Sequence, residues 1–178
     1  LVQGKNKKEI IISAHNCHPY QANDDISGCA VAIHAINKIK NRADLEYSYR
    51  IIIGPELYGP MFWLEQNKSK IRNIEGCILL KSVGNANTIN MQKSYDGDTY
   101  INKVMQKAME DTEEISNVHE FRTYYGNDET VFDAVGIEIP TVTLTRFPFE
   151  EYHTDLDKPQ NISNEALEKT NKILEEAI

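Results

Sequence analysis

Short apolar runs alternate with amphipathic segments along this chain. The apolar runs, which are rich in β-branched residues, lie at 9–14, 47–54, 76–83 and 139–145. Apolar residues recur with the helical period at 27–40, 99–110 and 161–178. Short strands that alternate with helices predict an α/β fold, here a three-layer sandwich with a mixed, mostly parallel sheet and helices on both faces.

Three local predictions accompany this reading. Residues 88–92 are predicted to form a short hairpin partner of the strand at 76–83. Residues 119–125 alternate loosely and are read as a strand. Ser27 is expected to cap the helix that follows the first strand.

Polar side chains suited to metal binding or proton transfer follow three of the predicted strands. They are His15, Cys17, His18, Asp24 and Asp25 after the first strand, Glu56 after the second and His153 after the last. Ligands of open α/β sheets bind beyond the carboxyl ends of the strands, where such loops converge. We therefore expect these side chains to share one site.

The chemistry of this set matches zinc. Catalytic zinc takes about three ligands from His, Asp and Glu and keeps a position open for water, and a nearby carboxylate can act as general base. Asp24 and His153 are the first candidate ligands, followed by His18 and His15, while Glu56 is a candidate as ligand or base. Taken singly, Asp24 could cap a helix and each histidine could be a turn residue. Their clustering after one buried strand favours the metal.

Composition narrows the functional class. A net charge of −8, a pI near 5.1 and scattered basic residues argue against nucleic-acid binding. No apolar run approaches the roughly 20 residues that cross a bilayer, so no membrane partner is expected. Three cysteines without C-x-x-C spacing disfavour a disulfide framework, and a cytoplasmic location fits best. We expect residues 1–178 to be a single domain and, because the first residue is Leu, a piece of a longer protein.

Several blocks of sequence occur in an order that resembles a known family. They are Ser13-Ala14-His15, Ala22-Asn23-Asp24-Asp25-Ile26-Ser27-Gly28, Gly126-Asn127-Asp128-Glu129, Gly136-Ile137-Glu138-Ile139-Pro140 and Tyr152-His153-Thr154. Together they resemble the co-catalytic zinc aminopeptidases, a clan that also contains the zinc-dependent glutaminyl cyclases. Three further blocks, at 17–19, 55–56 and 125–129, more closely resemble bacterial aminopeptidase-like proteins associated with polysaccharide biosynthesis.

The resemblance implies a role for three of the candidate ligands. Asp24 would occupy the position that bridges two metals. His15 would be the histidine of the first metal, and His153 that of the second.

Departures from the family pattern bear on the number of metals. The His-x-Asp motif is replaced by His15-Asn16-Cys17, the Glu-Glu pair is reduced to Glu56, and Ser82 is read at the position of a first-metal Asp. These losses favour one zinc ion, with His18 recruited as a ligand, and leave two ions open. Glu129 stands where the aminopeptidases usually have His and is a second candidate acid/base.

By this resemblance the chain is a zinc-dependent hydrolase of aminopeptidase type. Zinc-activated water would attack an amide bond near a free amino group, and Glu56 or Glu129 would handle the proton. The expected substrate is a small peptide or an aminoacyl or amino-sugar amide. The alternatives are a metal-containing peptide- or glycan-binding module without turnover and a metal-free interaction domain, and a homo-oligomer is left open.

Overall fold

The computed structural model describes residues 1–113 and 117–178. Within these residues, six strands form a single sheet in the order β2-β1-β3-β6-β4-β5. The strands are β1 Glu9–His15, β2 Ser48–Gly54, β3 Ile74–Lys81, β4 Asn90–Gln92, β5 Val118–His119 and β6 Thr141–Thr145. The four strands β2, β1, β3 and β6 run parallel, and β4 is antiparallel to β6. The predicted mixed, mostly parallel sheet is confirmed.

Helices cover both faces of the sheet. In the described residues they are α1 Gly28–Ile39, α2 Tyr58–Gln66, α3 Tyr100–Asp111, α4 Glu129–Phe132 and α5 Asn164–Ala177. Helices α1, α3 and α5 pack on one face, whereas α2 and α4 pack on the other. None of the helices in the described part of the chain has the length and apolar character needed to cross a membrane.

Burial on both faces explains the continuous apolar runs of the central strands. In β1, Ile10 and Ile12 point into the core under α1 and α3, while Ile11 points into the core under α2 and α4. Successive side chains of a strand alternate between faces, so a strand covered on both sides reads as an unbroken apolar run.

Three local predictions were wrong. Residues 88–92 yield only β4, which pairs with β6 because both edges of β3 are already occupied by β1 and β6. The strand predicted at 119–125 is limited to Val118–His119. Ser27 does not cap α1, since its hydroxyl donates to the Asn23 carbonyl at 2.6 Å and accepts from the Val83 N–H at 3.1 Å.

The topology brings the polar strand ends to one edge of the sheet. His15 is the last residue of β1 and Lys81 the last of β3, and both strands run in the same direction. An irregular helical segment, Ala22–Ser27, lies between β1 and α1. Residues far apart in the sequence therefore meet in one place.

Candidate metal centre

His18, Asp24 and His153 are brought together at this edge. Asp24 Oδ2 lies 3.9 Å from His18 Nε2 and 3.4 Å from His153 Nε2, and one ligand atom from each residue lies within 4.8 Å of the others. Two ligand atoms bound to one tetrahedral zinc ion at about 2.0–2.1 Å are separated by roughly 3.4 Å. The three side chains thus have the spacing of ligands to one ion.

Two of these ligand atoms are buried without a hydrogen-bond partner among the described residues. They are Asp24 Oδ2 and His18 Nε2. A buried polar atom without a partner costs free energy, and an ion between the two atoms removes that cost. Burial also lowers the pKa of His18, which favours the neutral imidazole that metals bind. The residues therefore fit a zinc-type ion.

Asp24 is held in place through its own backbone. The Asp157 carboxylate accepts hydrogen bonds from the N–H groups of Asn23, at 2.7 Å, and Asp24, at 2.9 Å. The Asn23 side chain in turn accepts from the Gly84 N–H at 2.8 Å, which ties this loop to the end of β3. Asp157 is a positioning residue that the sequence analysis missed, because nothing in the local sequence signals a contact over 133 residues.

Asp25 links the ends of β1 and β3 to the start of α1 through hydrogen bonds with backbone N–H groups. Its carboxylate accepts from the N–H groups of His15 at 3.2 Å, Gly28 at 3.2 Å and Ser82 at 2.9 Å. A Cβ at position 28 would lie 2.4 Å from Asp25 Oδ1, so this close approach requires glycine. Burial raises the pKa of Asp25 to about 7.

Lys81 is a second residue of the site that the sequence analysis missed. Its Nζ lies 2.6 Å from Asp24 Oδ1 and 2.5 Å from His15 Nε2, and the side chain is fully buried. Ser82, which the resemblance places at the position of a first-metal Asp, is the next residue in the chain, and the side chain that contacts Asp24 is that of Lys81. The available signal was that β3 is an apolar run that ends in one polar residue, as β1 ends in His15.

The ionisation of Asp24 follows from these contacts. Burial alone would raise the pKa of Asp24, but the neighbouring His15 imidazole and the Lys81 ammonium outweigh it and hold the pKa at about 2. Burial would lower the pKa of Lys81, yet the negative charges of Asp24, Asp25 and Glu56 raise it instead. The pair is therefore a carboxylate and an ammonium at neutral pH.

Glu56 lies beside the candidate ligands. Together with His18 and His153 it lines a surface cavity of about 430 Å³. Asn127 Nδ2 donates to Glu56 Oε1, and Glu56 Oε2 lies 3.9 Å from Lys81 Nζ. The Glu56 carboxylate is thus oriented by an amide and remains accessible from the cavity.

Glu129, the other candidate acid/base, lies behind Asn127. Its side chain is fully buried, and both carboxylate oxygens accept from the Asn127 N–H at 2.8 Å. Burial raises the pKa of Glu129 to about 7. Through Asn127 it supports Glu56, so the geometry favours Glu56 as the residue that contacts a substrate.

A second group of ligand atoms shares His18. Cys17 Sγ lies 3.2 Å from His15 Nδ1 and 3.3 Å from His18 Nδ1, and the three residues are close enough to hold an ion. His15 Nε2 already contacts Asp24 Oδ1 at 2.9 Å as well as Lys81. The structure therefore places His15 between Cys17 and the Asp24–Lys81 pair.

Two tyrosine rings pack against His153 and Lys81. The Tyr152 ring stacks on His153 with centroids 3.8 Å apart, and the Tyr152 hydroxyl lies 2.7 Å from that of Tyr125. Both tyrosine rings face the Lys81 ammonium, at 5.4 Å for Tyr125 and 5.9 Å for Tyr152. Stacking limits the orientations of the His153 imidazole.

Known proteins are similar to this chain in sequence and in structure. A Clostridium acetobutylicum protein, provisionally named a polysaccharide biosynthesis protein with an aminopeptidase-like domain, is 31% identical over 99% of this chain and 41% of its own length. A crystal structure of a provisionally named peptidase from Clostridium acetobutylicum has a TM-score of 0.92 at 29% identity, covering 99% of this chain and 42% of that one. The chain thus spans about two-fifths of these relatives.

A more distant structure shows the fold alone. The zinc aminopeptidase BSAP from Bacillus subtilis has a TM-score of 0.79 at 19% identity, over 98% of this chain and 46% of that one. The resemblance to aminopeptidase-like proteins is confirmed. Residues 1–178 match the family described as "Domain of unknown function (DUF4910)" along their whole length. The chain belongs to this family and has an aminopeptidase-like α/β fold.

Proposed function

We propose that this chain is the zinc-binding core of an aminopeptidase-type hydrolase that cleaves an amide bond near a free amino group. The observation that carries the proposal is the pair of buried, unpartnered atoms Asp24 Oδ2 and His18 Nε2, which lie near His153 Nε2 at ligand spacing within the described residues. The aminopeptidase-like fold of its relatives supports the same chemistry.

The proposed ligands are His18, Asp24 and His153. When bound, zinc lowers the pKa of a coordinated water toward about 7 and polarises a carbonyl. Glu56 accepts the proton of the attacking water and returns it to the departing amine, since its carboxylate lines the same cavity as the two histidines. Asn127 orients Glu56, and Glu129 fixes Asn127.

The cavity favours a small, cationic substrate group. Its volume is about 430 Å³, and the carboxyl groups of Glu56 and Asp155 lie on its wall. These carboxylates attract a substrate ammonium group that lies close to the amide bond to be cleaved. An aminoacyl group satisfies these features, and the name of the Clostridium acetobutylicum relative adds amino-sugar amides to the substrates worth testing.

The alternative is a binding module without turnover. The role of Glu56 distinguishes this module from the hydrolase. If Glu56 completes the coordination of the ion, it is no longer free to carry a proton. The protein would then hold a peptide or glycan at the metal without hydrolysing it.

The test is hydrolysis by the purified protein of a panel of aminoacyl anilides and aminoacyl amides of amino sugars. We expect turnover that falls to background after treatment with 1,10-phenanthroline and returns when about one equivalent of zinc is added per chain. Activity that survives removal of the metal would contradict the proposal. Zinc binding without hydrolysis of any member of the panel would support the binding module.

A further inference from the structure

Lys81 is an unusual residue to find in the interior of a metal site. It is among the largest fully buried side chains of the described residues, and it extends from the end of a central strand paired on both sides, by β1 and β6. Lysine is almost never fully buried unless it is paired. Its position therefore calls for a role.

The Lys81 ammonium occupies the place where a cation would join His15 to Asp24. Nζ is 2.5 Å from His15 Nε2 and 2.6 Å from Asp24 Oδ1, and these two atoms lie 2.9 Å apart. An ion about 2.0–2.1 Å from both atoms would lie within roughly 3.6 Å of the ammonium, and two positive charges at that distance in a buried site repel each other strongly. The ammonium and such an ion exclude each other.

The second oxygen of Asp24 faces the two other candidate ligands. Asp24 presents Oδ1 to Lys81 and leaves Oδ2 for His18 Nε2 and His153 Nε2. One carboxylate is thus divided between two positive charges. The first is the Lys81 ammonium, and the second is the metal ion for which Asp24 Oδ2 is left without a hydrogen-bond partner among the described residues.

We infer that Lys81 serves as a built-in cation that saturates His15 and one oxygen of Asp24, and thereby limits the site to one divalent ion bound by Asp24, His18 and His153. In this arrangement His15 Nε2 accepts from the Lys81 ammonium, so His15 positions Asp24 through Lys81 and is not a metal ligand. The inference deepens the proposed function and rests on its metal site.

The first test compares the histidines in the intact protein by zinc titration calorimetry. We expect His15→Gln to keep one equivalent of zinc with less than tenfold loss of affinity, because only its support of Asp24 is changed. His18→Gln is expected to lose more than a hundredfold, because it removes a ligand. Equal losses in the two variants would overturn the inference, and His34→Gln, on the exposed face of α1, is the matched control.

The second test removes the built-in cation. Lys81→Met is expected to bind a second equivalent of zinc, which disappears again in the double variant with His15→Gln. Lys93→Met, which removes a lysine paired with Glu120 outside the site, should still bind one equivalent. A Lys81→Met protein that still binds a single equivalent would contradict the inference. If this variant fails to fold, the comparison of His15 with His18 decides alone.

The outcomes separate this inference from the proposed function. Two equivalents in the unaltered protein would overturn the role of Lys81 and leave the hydrolase proposal standing. One equivalent of zinc in the unaltered protein without hydrolysis of any member of the panel would leave the inference standing and overturn the hydrolase proposal. No zinc in the unaltered protein would overturn both.

Discussion

Replacing Asp24 by Asn is expected to abolish zinc binding and to lower the free energy of unfolding by about 3–5 kcal/mol, the cost of breaking a buried ion pair. Asn has nearly the size of Asp but no charge, so the Lys81 ammonium, 2.6 Å away and fully buried, loses its closest counter-charge. The measurement is urea unfolding of the metal-free proteins at pH 7, together with the zinc content of each.

The pH dependence of this effect has a definite sign. The pKa of Asp24 is about 2 in the folded protein and about 3.9 in an unfolded chain. A carboxyl whose folded pKa is depressed contributes stability above its unfolded pKa and loses it as pH falls through the folded pKa. The difference between Asp24→Asn and the unaltered protein should therefore shrink between about pH 4 and pH 2.

A matched carboxylate provides the control for Asp24. Asp44 also pairs with a cation, Arg42, at 2.9 Å, but the pair lies on the surface. Exposed ion pairs contribute little, so Asp44→Asn should leave stability and zinc content unchanged. Equal effects of the Asp24 and Asp44 substitutions would show that Asp24 and Lys81 do not form the buried pair described above.

Replacing Glu56 by Gln is expected to lower kcat by about 10²- to 10⁴-fold while the protein keeps its zinc. Glutamine retains the oxygen that accepts from Asn127 but cannot take a proton. The measurement is the rate on the best substrate of the panel, with zinc content determined on the same samples. Glu65→Gln, which removes an exposed carboxylate paired with Lys68, is the control.

Each alternative role for Glu56 predicts a different pattern. If Glu56 were a zinc ligand, Glu56→Gln would lose metal and activity together. If Glu129 were the acid/base, Glu129→Gln would lose turnover and Glu56→Gln would keep it. Either pattern would contradict the role given to Glu56.

The architecture could be predicted because it follows from local periodicity. The apolar runs of β1 and β3 are continuous since both faces of these strands are buried, and the helical period marks α1, α3 and α5. The pairing of β4 could not be predicted, because it depends on which edge of the sheet is free and not on the β4 sequence.

Some residues of the site could likewise be predicted from the sequence, whereas others depend on the tertiary packing. His15, His18 and Asp24 lie in one loop region, where their spacing signals a site, and His153 adds a second loop at the same sheet edge. The signal for Lys81, a single polar residue at the end of the apolar run of β3, is weak, because a lysine in that place is usually exposed to solvent. Tertiary packing buries this lysine against the carboxylate of Asp24, which lies 57 residues earlier in the chain.

The most direct test is a crystal structure of the protein soaked in zinc, with the ion located from anomalous scattering at the zinc absorption edge. The account predicts one peak per chain, in contact with Asp24 Oδ2, His18 Nε2 and His153 Nε2, while Lys81 Nζ remains on Asp24 Oδ1. A peak beside Cys17 Sγ, between the Nδ1 atoms of His15 and His18, or a peak in place of the Lys81 ammonium, would contradict it.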